Sequence, residues 1–121
     1  MLLLPKDMRM SLLLGYYGPL LSERTRMIAE SYYYDDLSLS EISDNEGMTR
    51  QGVLDHIRRA DTALTNYEQK LGFARKLTVA ASAAERIASL TDDPEVLRLC
   101  GEISAQTADE QNLTGGDIFG I

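Results

Sequence analysis

Apolar residues recur along this chain at intervals of three and four residues, and no segment alternates apolar and polar positions with a period of two. Intervals of three and four place side chains on one face of an α-helix, whereas a half-buried strand needs strict alternation. The pattern therefore predicts an all-α protein. A first helix is expected over about residues 6–17, and it should end at Gly18-Pro19, a pair that breaks helices.

Short polar residues mark the starts of the next helices. Ser22 is placed to accept a hydrogen bond from the first turn of a second helix, which we expect to close at Asp35-Asp36. Ser38 and Glu41 have the spacing of a capping box, in which each side chain accepts from a backbone N–H group at the helix start. The short helix that they open should end near Gly47.

The fourth helix is predicted to be the longest, with Thr49 as its cap and Gly72 as its end. Its apolar residues form one continuous seam with a 4-3-4-3-4 spacing. The seam consists of Val53, Ile57, Ala60, Leu64, Tyr67 and Leu71. The second half of the seam needs a partner, either the C-terminal helices of the same chain or the same surface of a second subunit in a homodimer.

Two further helices are expected after Gly72. The first has an alanine-rich face suited to close helix contact, made of Leu77, Ala80, Ala81, Ala84, Ile87 and Ala88. Pro94 opens the last helix, whose apolar residues are Val96, Leu99, Cys100 and Ile103. We therefore expect an N-terminal domain at residues 1–72, a C-terminal helical extension at 73–111 and a flexible tail at 112–121.

Charge is distributed unevenly along the chain, whose formal net charge is −7. Residues 1–77 hold 10 Lys and Arg against 11 Asp and Glu, whereas residues 78–121 hold 2 against 8. A protein that works by neutralising phosphates is usually basic. The acidity argues against nucleic-acid binding by the C-terminal part and leaves the N-terminal part open to it.

The cellular compartment follows from the single cysteine. Cys100 rules out an intrachain disulfide and a thiolate metal cluster, which fits a reducing cytoplasm, and we expect it to be a buried structural thiol. Lys6 and Arg9 precede an apolar stretch in the manner of a secretory signal, but Gly15 and Gly18 interrupt that stretch and no cleavage motif follows. We expect neither a signal peptide nor membrane insertion.

The third and fourth helices have the features of a helix-turn-helix. The turn between two such helices favours a residue that tolerates positive φ, and Gly47 fills that position. Apolar side chains must then hold the helices together, and a small residue, Ser43, faces the partner helix. The holding positions are Ile42, Met48, Val53 and Ile57. An ordinary helical hairpin is the alternative, because caps and apolar spacing occur in any small bundle.

The same stretch resembles a known family, the YlxM-like helix-turn-helix proteins, which are associated with the signal recognition particle and are similar to sigma-factor region 4. The resemblance covers roughly residues 8–71. It rests on Met10, Leu13 and Tyr17; Leu20-Leu21-Ser22; Tyr32-Tyr33 with Asp35-Asp36; Ser38-Leu39 with Glu41-Ile42; and Gly47-Met48-Thr49-Arg50-Gln51 with Val53, Asp55, Ile57 and Arg59. Ser43 and Gly52 depart from the alanine usual in the family, and Ser31 from a larger apolar residue.

The resemblance implies a regulatory or accessory DNA-binding protein that takes part in the signal recognition particle pathway. The alternative is an adaptor without DNA, in which the inherited fold binds the signal recognition particle GTPase or its RNA and the acidic C-terminal helices dock on a basic partner. Gly52 near the start of the fourth helix should cost about 1 kcal/mol relative to alanine.

The candidate DNA-binding residues lie on the recognition helix, with the first three at the end that normally meets base edges. They are Thr49, Arg50, Gln51, Leu54, Asp55, Arg58 and Arg59. Arg50 is suited to guanine and Gln51 to adenine, while the two later arginines would contact phosphates. Asp44, Glu46 and Asp55 lie close by and would repel phosphates, so a solvated face of mixed charge is the alternative.

No other residue pattern indicates chemistry. His56 has no metal-ligand spacing, and the Tyr32-Tyr33-Tyr34 cluster fits core packing better than base stacking, with Tyr34 the most exposed. Asp35-Asp36 lacks a third ligand and reads as a helix end. Without a nucleophile-base pair or a phosphate-binding glycine loop, we expect no enzymatic activity, no cofactor and no metal.

Overall fold

The computed structural model describes residues 8–108, and within that range every regular element is helical. The predicted all-α class is confirmed. The helices are α1 (Met8–Tyr17), α2 (Glu23–Tyr33), α3 (Leu39–Glu46), α4 (Arg50–Leu71), α5 (Phe73–Ser89) and α6 (Pro94–Ala108), with a short 3₁₀ turn at Gly18–Leu20. The flexible tail expected at 112–121 lies outside the described residues.

The chain divides into two compact units, Met1–Leu71 and Gly72–Ile121. Helices α1 to α4 belong to the first unit, and α5 and α6 to the second. Gly72, at the division, has a left-handed backbone with φ of 65°. This conformation suits glycine and ends α4 where the sequence predicts.

The helix starts of the first unit are capped as the sequence predicts. The Ser22 side chain accepts from the Thr25 N–H at 3.3 Å at the start of α2. At the start of α3 the capping box is complete, because Glu41 N–H donates to Ser38 Oγ at 3.1 Å and Ser38 N–H donates to Glu41 Oε1 at 2.9 Å. These bonds satisfy backbone donors that a helix start leaves open.

The core of the first unit forms where α1, α2 and α3 pack against α4. Its centre beside the turn is a buried cluster of Ile28, Ile42, Val53 and Ile57. Tyrosine, leucine and methionine side chains that are partly buried pack around this cluster. The aliphatic cluster therefore fixes the angle between α3 and α4, as the helix-turn-helix interpretation requires.

The later part of the α4 seam is covered by α1, contrary to the expectation that the C-terminal helices or a second subunit would be needed there. Leu64 is fully buried, and the rings of Tyr17 and Tyr67 lie 5.8 Å apart. The Tyr17 hydroxyl donates to Glu68 Oε1 at 2.7 Å. The chain folds its own first helix back onto this surface, and only Leu71 at the end of the seam is as much as 38% exposed.

The second unit is a helical hairpin in which α5 packs against α6. Ala74, Ala84 and Cys100 are its buried residues among those described. The predicted burial of the Cys100 thiol is confirmed. Because the contact is made mainly by small side chains, the two helices can approach closely.

None of the described helices combines the length and the apolar composition that crossing a lipid bilayer requires.

We predict that Gly47→Ala destabilises the first unit. Its φ of 65° costs an L-residue with a Cβ about 1–2 kcal/mol. The free energy of unfolding, measured by chemical denaturation, should fall by about that amount.

Gly47→Asn is the matched control, because asparagine tolerates the left-handed region better than alanine and should lose less stability. Apart from the adjoining residues of the chain, no described atom lies within 4 Å of a Cβ at this position, so crowding cannot explain a loss. Equal losses in the two variants would contradict the conformational argument.

Candidate nucleic-acid interface

The turn between α3 and α4 is a sharp corner held by backbone geometry and one side chain. Gly47 is the left-handed C-cap of α3, and the N–H groups of Gly47 and Met48 both donate to the Ser43 carbonyl. The Ser43 hydroxyl donates to the Met48 carbonyl. Ser43 is thus more than a small residue, because its hydroxyl closes the corner with a bond that alanine could not make.

The start of α4 is capped by Thr49, whose Oγ1 accepts from the Gly52 N–H at 2.9 Å. A Cβ at Gly52 would lie 3.1 Å from that same oxygen and 3.2 Å from the Met48 terminal methyl carbon. Alanine here would require both neighbours to shift by a few tenths of an ångström. Alanine has a higher helix propensity than glycine, and the crowding offsets part of the stability that this substitution would otherwise add.

The corner projects the N-terminal turn of α4 into solvent. Of the seven candidate residues, six are exposed and Leu54 is half-buried. The exposed six are Thr49, Arg50, Gln51, Asp55, Arg58 and Arg59. The structure therefore places Gln51, Asp55, Arg58 and Arg59 on the side of α4 away from the buried seam. Thr49 and Arg50 lie at the exposed N-terminal end of the helix, where Arg50 continues the line of the seam three residues before Val53.

Two of the three acidic side chains near this surface are engaged by their neighbours. Gln51 Nε2 donates to Asp55 Oδ1 at 3.0 Å across one helical turn. Glu46 Oε1 lies 4.0 Å from Arg24 Nη1. Asp44 is exposed on α3. These pairings moderate the repulsion of phosphates that a row of free carboxylates would exert.

His56 connects the outer surface of α4 to α2. Its Nδ1 lies 2.9 Å from the Oγ1 of Thr25, a residue that is only 5% exposed, and 3.3 Å from Arg59 Nη1. Because a guanidinium can only donate, Nδ1 must be the acceptor and the ring proton sits on Nε2. Burial, followed by the charges of Arg59 and Arg24, lowers the pKa of His56. With Nδ1 as an acceptor, the ring of His56 helps to position Arg59.

Arg24 is a candidate contact residue that the sequence interpretation missed. It lies in the first turn of α2, half-exposed, with Nη2 3.5 Å from the Met48 sulfur at the corner. Its charge contributes to the lowered pKa of His56, and Thr25, the residue after Arg24 in sequence, is the hydrogen-bond partner of that ring. The signal was present, because the first turn after the Ser22 cap carries this arginine, but its position beside α4 depends on tertiary packing.

The tyrosine cluster is structural, as predicted. Tyr32 and Tyr33 pack on the core with their rings edge to face at 5.0 Å, and the Tyr33 hydroxyl donates to Asp61 Oδ1 at 2.7 Å. Tyr34 is 40% exposed. Across residues 8–108 no group of three or more His, Cys, Asp or Glu side chains could hold a metal ion.

The capped helices, the glycine corner and the exposed end of α4 define the class of this molecule: an all-α helix-turn-helix protein. The comparison with protein families agrees, because residues 4–99 match the model of UPF0122, described as "Putative helix-turn-helix protein, YlxM / p13 like". The chain belongs to this family.

Relatives in several bacteria extend the match along most of the chain. The UPF0122 protein of Thermoanaerobacter sp. (strain X514) is 40% identical over 111 residues, which cover 86% of this chain and 94% of that protein. The UPF0122 protein of Desulforamulus reducens is 42% identical over 87 residues, 72% of this chain and 74% of that protein. The UPF0122 protein of Symbiobacterium thermophilum is 51% identical over 65 residues, which cover 54% of this chain and 61% of that protein.

We predict that protonation of His56 lowers the free energy of unfolding in mild acid. Folding lowers the pKa of His56 below the ordinary histidine value of about 6.5. The contribution of the neutral ring to the free energy of unfolding is therefore complete above about pH 6.5 and declines as the pH falls below it. The reason is that the unfolded chain takes up a proton that the folded chain resists. Free energies of unfolding measured across this range should show the decline.

His56→Gln supplies the comparison, because its amide can accept from Thr25 without titrating. In this variant the free energy of unfolding should no longer fall with pH just below about pH 6.5. At lower pH the protonation of carboxylates should lower the stability of both proteins alike. If the two proteins gave parallel curves through that window, His56 would not be the group responsible.

Proposed function

We propose that this protein is a regulator that binds duplex DNA, with α4 as the recognition helix in the major groove. One observation carries the proposal: the left-handed corner at Gly47 presents the first turn of α4, with Arg50 and Gln51, to solvent. Helix-turn-helix proteins contact base edges with the N-terminal residues of the recognition helix. The family to which the chain belongs supports the same assignment.

Base reading in this proposal rests on two side chains. Arg50 makes no hydrogen bond or ion pair within the described residues, so its guanidinium is available to the O6 and N7 acceptors of a guanine. Gln51 is held by Asp55 through one amide hydrogen, at 3.0 Å. This bond orients the amide and leaves its oxygen and second hydrogen for the N6 and N7 groups of an adenine.

Phosphate contacts in this proposal come from arginines at the sides of α4. Arg58 is exposed and makes no hydrogen bond or ion pair within the described residues. Arg59 is positioned by His56, and Arg24 lies beside Met48 at the corner. The three charges belong to the first unit, whose residues 1–71 hold 8 Lys and Arg against 11 Asp and Glu. Phosphate contact in this proposal therefore depends on where these arginines lie on the unit and not on its net charge.

The finer assignments extend the same proposal. A likeness to sigma-factor region 4 and a cytoplasmic site of action fit a short α3, a long α4 and a reduced, buried Cys100. A homodimer would place two recognition helices on the half-sites of a palindrome, about 34 Å apart.

The second candidate function is the adaptor for the signal recognition particle GTPase or its RNA. The acidity of residues 78–121, which hold 8 Asp and Glu against 2 Arg, supports docking on a basic protein surface. Capture of purified particle GTPase and RNA by the full chain tests it. Capture that is unchanged by Arg50→Ala with Gln51→Ala, combined with absence of DNA binding, would favour the adaptor.

We predict that DNA binding depends on the exposed end of α4. Duplexes selected from a random-sequence pool at low salt serve as the probe, and affinity is measured by gel shift over a range of salt concentrations. Arg50→Ala with Gln51→Ala should weaken binding to the selected duplex about tenfold or more and reduce its preference over the pool. Arg58→Ala should weaken all duplexes alike and reduce the salt slope by about 1.

Arg98→Ala is the matched control, because it removes the same charge from α6, where Arg98 is paired with Glu95 and Glu102. It should leave DNA affinity nearly unchanged. The proposal is wrong if no duplex binds at low salt, or if the control weakens binding as much as the α4 variants do.

A further inference from the structure

Helix α5 carries two stripes with the same spacing, one apolar and one apolar except for Lys76. The inner stripe is covered by α6 and consists of Ala74, Leu77, Ala81, Ala84 and Ala88, at steps of three and four residues. The outer stripe begins one residue earlier and follows the same steps on the neighbouring side of the helix. It consists of Phe73, Lys76, Ala80, Ala83, Ile87 and Leu90, the last of these directly after the helix end. We call these the inner stripe and the outer stripe.

The outer stripe is exposed along its whole length. Leu90 is 75% exposed, Phe73 49% and Ile87 46%, and both alanines are exposed as well. An apolar surface of this kind is uncommon on a protein that works alone. Since the inner stripe has the same steps and receives a helix, the outer stripe has the spacing to receive another.

We propose that the outer stripe is where two copies of this chain pair, with their α5 helices antiparallel. A two-fold axis between Ala80 and Ala83 makes the stripe complementary to itself. Ala80 then faces Ala83 of the second copy, and Phe73 faces Leu90 of the second copy. Each layer joins the two heptad positions that meet in antiparallel coiled coils, and the central alanines allow the backbones to approach closely.

The charges of Lys76 and Asp92 favour an antiparallel pair and favour a second copy of this chain as the partner. Lys76 is the one charged residue of the stripe, near the start of α5, and Asp92 is exposed just after its end. Within one chain α5 separates them by about 20 Å. In the antiparallel pair Lys76 faces Ile87 of the second copy, so its stem can lie on the apolar surface while its ammonium extends towards Asp92 of that copy.

The expected complex is a reversible dimer, because the stripe is only about five helical turns long. Sedimentation equilibrium of the full chain without DNA, over a range of protein concentrations, should show a monomer–dimer equilibrium. Ile87→Glu should weaken the dimer about tenfold or more, since it places a charge in an apolar layer. Ser82→Glu adds the same charge to the opposite side of α5, which is exposed, and should leave the equilibrium unchanged.

A charge exchange tests the antiparallel register. Lys76→Glu and Asp92→Lys should each weaken the dimer about threefold or more, because each turns an attraction into a repulsion twice per dimer. The double variant should recover the wild-type affinity. Lys76→Glu with Asp44→Lys has the same net charge as that double variant, but Asp44 lies on α3 and should not restore dimerisation.

Three results would overturn the proposal. A monomer at every concentration would mean that no second copy occupies the stripe. A dimer that tolerates Ile87→Glu would use another surface. If this variant lowered stability without changing the mass, another part of the same chain would cover the stripe. Because no DNA is present, each result is independent of the outcome for the proposed function.

Discussion

The left-handed backbone of Gly47 determines what the rest of the first unit can present to a partner. It changes the direction of the chain between α3 and α4, so that Ile42 before the corner and Val53 after it are buried in one cluster with Ile28 and Ile57. The cluster fixes the angle between α3 and α4, and the corner leaves the first turn of α4 without cover. A rigid core and an open helix end thus arise from the same residue.

Electrostatics around α4 differ from what the net charge of −7 suggests. The acidic residues closest to the recognition turn hold Gln51 and face Arg24, while Arg50 and Arg58 extend into solvent. His56 adds a link that bonds a buried threonine and approaches Arg59. The charge near α4 thus differs from the net charge of the chain. Because salt screens charges that lie more than about 10 Å apart, the nearby charges determine how this surface contacts a partner.

Local signals made much of this fold predictable. The Ser22 cap, the Ser38–Glu41 capping box and the glycine helix ends involve residues three or four apart, so their bonds can be inferred from spacing alone. What could not be predicted involves residues far apart in the chain. The cover of Leu64 by α1, the Thr25–His56 bond and the place of Arg24 depend on how whole helices pack. The exposed end of α4 could be predicted from spacing, whereas the contacts that support it could not, and its role in DNA binding stays a prediction.

Two glycines five positions apart are constrained for opposite reasons. At Gly47 a methyl group would meet no described atom within 4 Å beyond the adjoining residues of the chain, so the obstacle is the dihedral angle of the residue itself. At Gly52 the obstacle is the closeness of Thr49 and Met48. Over evolutionary time, replacement at position 52 can be accommodated by a compensating change in one of those neighbours. At position 47 no change in a neighbour can relieve the positive φ. Substitutions there should therefore occur independently of the surrounding residues and be limited to very few residue types.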